Sequence, residues 1–109
     1  MKIQDIPFTT TVWRDVAPVE YLGVTGSASW RTVEAGNLRL RMVDYSPAFL
    51  QDHWCARGHV ILVLQGELVV ELGDGRTVKL VAGESFHVAD DASSHRLSSG
   101  PGAIVFVVD

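Results

Sequence analysis

Along most of the chain apolar and polar residues alternate with a period of two, and few stretches carry the three-and-four spacing of an amphipathic helix. The pattern predicts an all-β chain. Leu38-Arg39-Leu40-Arg41-Met42-Val43 alternates apolar and basic side chains, which predicts a strand with its apolar face on a core and its arginines in water. Ser46-Pro47 interrupts it. Val60-Ile61-Leu62-Val63-Leu64 is apolar at both parities, so it is expected to be covered on both faces, by the core and by another segment or a second subunit. A homodimer is the simplest cover. Gln65-Gly66 separates this run from Glu67-Leu68-Val69-Val70-Glu71-Leu72, and Gly73-Asp74-Gly75 leads on into Arg76-Thr77-Val78-Lys79-Leu80-Val81. Asp-Gly between β-rich runs marks a hairpin. Ser85-Phe86-His87-Val88 and His95-Arg96-Leu97-Ser98 read as further strands. Ala103-Ile104-Val105-Phe106-Val107-Val108, apolar throughout, is expected in the middle of a sheet. About seven or eight short strands with turns between them predict a sandwich or barrel. Before them, Trp13 and Trp30 scattered among Thr, Val and Gly predict an extended, wrapping N-terminal segment.

Composition narrows the picture. A chain of 109 residues, 47% of them hydrophobic, can bury a core without disulfides and is expected to form one domain over residues 1–109. With 9 Lys plus Arg against 13 Asp plus Glu the net charge is -4, which offers no basic field for nucleic acid. The start, Met1-Lys2-Ile3-Gln4-Asp5-Ile6-Pro7, lacks a signal-type apolar run, and no stretch approaches the ~20 apolar residues of a membrane span. A soluble, cytoplasmic protein is expected, and a single Cys suits a reducing compartment.

That Cys stands in the densest chemistry of the chain, Asp52-His53-Trp54-Cys55-Ala56-Arg57-Gly58-His59. His53 and Cys55 are two apart and project from one face of an extended strand, so both can meet one metal. His59 has the same parity but lies roughly 20 Å from His53 along a straight strand at about 3.3 Å per residue, so a shared site requires a reversal, which Gly58 can supply through positive φ. His95 is a fourth candidate. Imidazole and thiolate together favour Zn, with Fe, Ni or Cu compatible, while Mg or Ca would want several carboxylates. The plainer account is a buried Cys with two hydrogen-bonded imidazoles, and for His95 a loop histidine. His87 is expected on the outer face. Asp52, Asp90 and Asp91 could orient a ligating imidazole, although acids beside turns are usually solvated. Arg39 and Arg41 could bind a carboxylate, though a solvated face is the plainer reading.

The stretch from His53 through Gly66 resembles the first motif of the cupins, and Gly83 through His95 resembles the second. In that pattern two His one residue apart, a Glu on the next strand and a His from the second motif hold a metal inside a jelly-roll-like β-barrel. Carried over, these positions fall on His53, Cys55, His59 and His95, with Cys in place of the second His and His in place of Glu. The second motif departs further: Ala89 stands where Pro is usual, Asp91 where Gly is usual, and His95 comes one residue late. Trp30-Arg31-Thr32, Arg41-Met42-Val43, Asp52-His53-Trp54-Cys55 and Ala89-Asp90-Asp91 also resemble a small bacterial cupin group named for a motif of Asp, His, Cys and Trp. The resemblance implies a small single-domain cupin barrel and names no reaction. Three functions follow: a metal-dependent enzyme acting on a small molecule in the barrel, a non-catalytic ligand-binding or regulatory module, or a metal-free dimeric structural protein.

Overall fold

The computed structural model describes residues 2–109, and its regular structure is antiparallel strand apart from one short 3-10 turn at Trp13–Asp15. They are β1 (Val19–Leu22), β2 (Ser27–Ala35), β3 (Leu38–Tyr45), β4 (Phe49–Leu50), β5 (His59–Leu72), β6 (Thr77–Val81), β7 (Ser85–Val88), β8 (His95–Ser99) and β9 (Ala103–Val108). The largest departure from the sequence pattern is β5. The runs on either side of Gln65-Gly66 form one 14-residue strand, bent at a register shift between Val63 and Gln65. Gly66 makes the bend possible: its φ is +77°, and an added Cβ would lie 2.1 Å from the Gly102 carbonyl oxygen.

Because β5 bends, it belongs to two sheets. Its first half pairs with β7 on one side and β9 on the other, continuing through β3 and β2 to β1. Its second half pairs with β6 and β8, and β8 pairs with β4. The two sheets curl around a shared interior filled by Val43, Ile61, Val63, Leu68, Val70, Leu97, Val105 and Val107. Each such aliphatic side chain contributes about 1.5–3 kcal/mol on burial. The final apolar strand is central, as its composition predicts, and the Gly73-Asp74-Gly75 hairpin forms, with the Gly75 N–H donating to the Leu72 carbonyl at 3.0 Å. His87 is exposed on β7, as expected.

One expectation is corrected. On β3 the parity is reversed: Arg41 shares the inward face with Val43 and Tyr45 and is only 5% exposed, while Leu40 and Met42 face outward. The alternation is genuine, but Val43 and Tyr45 continue the parity of the arginines, and the interior supplies a carboxylate and an aromatic face to receive them. On β5, Ile61 and Val63 are buried, Leu62 is half-buried, and Val60 and Leu64 are 43% and 40% exposed in the single chain. Part of the outer surface of the larger sheet is covered by the N-terminal segment, where Trp13 packs edge-on to Phe106 with ring centroids 6.0 Å apart. Arg31 fastens that segment by donating to the carbonyls of Trp13, Arg14 and Val16.

Candidate metal centre in the barrel

Three parts of the chain converge on one cavity. Cys55, ahead of β5, pairs with His95, the first residue of β8, in an isolated bridge: each backbone N–H donates to the other's carbonyl, at 2.8 and 3.0 Å. His59 opens β5. The reversal between Cys55 and His59 passes through Ala56-Arg57-Gly58, held from outside by the Gly58 N–H donating to the Asp90 carboxylate at 2.7 Å and the Asp91 N–H donating to the Ala56 carbonyl at 2.8 Å. Gly58 is required for a reason other than the one its sequence suggests. Its φ is not positive; a Cβ there would lie 2.6 Å from the Asp90 nitrogen, so glycine lets two loops touch.

Cys55, His59 and His95 each offer one donor atom within 4.8 Å of the others. The two Nε2 atoms are 2.8 Å apart, and Cys55 Sγ is 3.8 Å from His59 Nε2. His59 and His95 are 8% and 1% exposed. The opposite ring nitrogens decide the tautomers. His59 Nδ1 meets the Asp109 carboxylate at 3.2 Å and His95 Nδ1 meets the Ser93 carbonyl at 3.0 Å. Both partners only accept, so each Nδ1 carries the proton and donates. With both Nδ1 protons so used, the two Nε2 atoms stand at hydrogen-bond distance beside a thiol, with one place between them for a proton or a cation. Burial lowers the pKa of His59, against the opposing pull of Asp109. A cation satisfies both lone pairs, and two neutral imidazoles with a thiolate are the donor set of a borderline-soft divalent ion. Donors around a tetrahedral Zn stand about 3.3–3.6 Å apart; here the two Nε2 atoms are closer, at 2.8 Å, and Sγ slightly farther, at 3.8 Å.

His53 stands apart from this group. Its side chain is 64% exposed, its Nδ1 donates to Asp52 at 2.7 Å, and it lines the same cavity. Asp52 thus orients an imidazole, as its position suggests, while Asp90 ties down the Gly58 loop instead.

The residue that the sequence reading missed is Asp109. Its side chain, 3% exposed, accepts from Arg39 Nε and Nη2 at 2.8 and 2.9 Å, from Arg41 Nη2 at 2.9 Å and from His59 Nδ1. Burial opposes its ionisation, but hydrogen bonds from Arg39 and His59 and the charge of Arg41 hold its pKa well below the usual carboxylate range. Its signal was parity: Ala103, Val105 and Val107 are buried, and Asp109 continues their face. Arg41 in turn lies with its Cζ 4.3 Å over the Trp30 ring. Tyr45, beside it, has its phenol pushed up to about 12 by burial. The cavity measures about 180 Å³ and is lined by Trp30, the metal-type cluster and three arginines among others.

No protein-family model matches this chain, and no curated protein matches it. Solved structures do. An Fe(II)-HppE crystal structure with an alternative substrate superposes with a TM-score of 0.77 at 14% identity, covering 96% of this chain and 62% of that one. Ectoine synthase from P. lautus gives 0.75 at 12% identity, covering 93% and 76%. A cupin-2 domain containing protein from Shewanella frigidimarina NCIMB 400 gives 0.62 at 19% identity, covering 74% and 78%. These likenesses establish the fold: the chain is a small all-β cupin barrel with a Cys/His/His group suited to a metal ion.

Proposed function

We propose that Cys55, His59 and His95 hold one divalent metal ion, zinc by preference, and that the chain is a metal-dependent enzyme acting on a small molecule in the adjoining cavity. The observation that carries this reading is the convergence of three donor atoms, the two Nε2 atoms 2.8 Å apart with Cys55 Sγ beside them. Two solved structures of the same fold bear names that support it, an Fe(II)-bearing HppE and a synthase. A divalent ion in this position supplies Lewis acidity to a ligand oxygen. The chain supplies the rest: Asp109 and Ser93 set the histidine tautomers, and Trp30 and Tyr45 wall off water. The segment Asp52-His53-Trp54-Cys55 resembles the motif of the small bacterial cupins named for those four residues and supports reading the chain as one of them. His53, at the cavity, is the candidate fourth ligand.

Metal analysis of protein purified without added metal tests the reading. The parent should carry about one equivalent, and Cys55→Ser should carry far less. Metal retained in His53→Ala means three protein ligands and an open, enzyme-type position; metal lost means a closed four-ligand shell and a binding module. A parent protein free of metal refutes the proposal.

The exposed Val60 and Leu64 on the outer face of β5 support a homodimer formed through that face. Sedimentation at micromolar concentration should give the dimer mass, reverting toward monomer in Val60→Glu; monomer alone in the parent rules the dimer out.

A further inference from the structure

The cavity beside the Cys/His/His group is unbalanced in charge. Arg39, Arg41 and Arg57 line it, and no Asp or Glu among the described residues does. Asp109, behind the arginines, is a single carboxylate divided among Arg39, Arg41 and His59, and it lies 3.9 Å from Arg57. Asp109 can neutralise only one of the three cations, and the further acidic charge acting on Arg39, that of Glu34, does not line this cavity. Arg41 is the most costly of them: it is 5% exposed, it holds one hydrogen bond to Asp109 through Nη2, and its Nε is sealed from solvent without any partner. A buried donor left unmatched costs about 1–3 kcal/mol, a cost that an anion bound in the cavity would remove. Arg57, more than half exposed, stands where it can draw that anion in. The remaining wall is apolar, from Trp30, Ile61, Leu97 and Val107. A bare inorganic anion leaves that wall unused. A cavity of about 150 Å³ accepts benzene, so one of this size suits a ligand of about six to eight non-hydrogen atoms.

We propose that the cavity binds a small organic carboxylate, its charge met by Arg41 and Arg57 and its carbon body lying against Leu97 and Val107. The planar guanidinium forks match a carboxylate's geometry. The proposal builds on the metal reading, because the same cavity places a second polar group of the ligand beside Cys55, His59 and His95. The arginines, however, act with or without the ion.

Titration with L-lactate, followed by tryptophan fluorescence and by heat in both metal-free and zinc-supplemented protein, tests it against L-lactamide and inorganic phosphate at matched ionic strength. Lactate should bind about tenfold or more tighter than lactamide, and tighter than phosphate, in the metal-free form as well. Arg57→Gln, at an exposed position, should weaken lactate severalfold with an unchanged thermal melt. Arg41→Lys keeps the charge but loses the fork, and should weaken it about tenfold. Lactate binding in a protein that takes up no zinc would sustain this inference while removing the metal reading. Equal binding of lactate and lactamide, a preference for phosphate, or no lactate binding by protein carrying a full equivalent of zinc would overturn it.

Discussion

Asp109→Asn is expected to destabilise the protein by about 3–5 kcal/mol, the usual cost of removing one partner from a buried ionic group. The side chain is 3% exposed and is the shared acceptor of Arg39, Arg41 and His59, so solvent screens little of the loss. The amide keeps the shape, but one of its two ends becomes a donor facing donors. A domain of this size has about 5–15 kcal/mol in all, so the midpoint of urea unfolding should fall sharply. Adding Arg41→Met should cost less than the sum of the single changes, because the cation left unpaired in the first variant is gone in the second. Asp109→Asn should also weaken metal binding by about 10–100-fold, through the lost acceptor on His59 Nδ1. A loss in stability below about 1 kcal/mol would mean that the carboxylate is not the anchor of this cluster.

Zinc in hundredfold excess over its dissociation constant should stabilise the metal-free protein by about 2.7 kcal/mol, raising its thermal midpoint by about 10–20 °C. His95→Ala should abolish this shift. His95 is 1% exposed, so the variant is also expected to start from a lower midpoint; the decisive quantity is the change on adding zinc, read within each protein by calorimetry. His87→Ala, altering an exposed histidine on β7 outside the cluster, should leave the shift intact. An equal shift in the parent and in His95→Ala would place the metal elsewhere.

Much of the architecture was legible in the chain. The hairpin at Gly73-Asp74-Gly75 and the central place of Ala103–Val108 follow from turn chemistry and from residues apolar at both parities. Parity also marked Cys55 and His59 as candidates for one site. It could not assign His53, because the straight strand assumed through His53 and Cys55 does not persist: His53 lies toward solvent against Asp52, while Cys55 is bridged to His95. Nor could the pattern show that Gln65-Gly66 bends a strand rather than ending it. Glycine marks an unusual backbone in either case, and only the pairing partners on each side distinguish the two.

The sequence by itself determined the class, an all-β barrel with Cys and His donors near the start of its longest strand, because period-two alternation and turn residues act locally. Tertiary structure decided which donors meet and what surrounds them. His59 and His95 are 36 positions apart and Asp109 is 50 beyond His59, so their contacts depend on strand pairing across the barrel. It also decided which face of β3 turns inward. Alternation fixes two faces but leaves their sides open, and here the carboxylate of Asp109 and the ring of Trp30 draw Arg39 and Arg41 to the cavity.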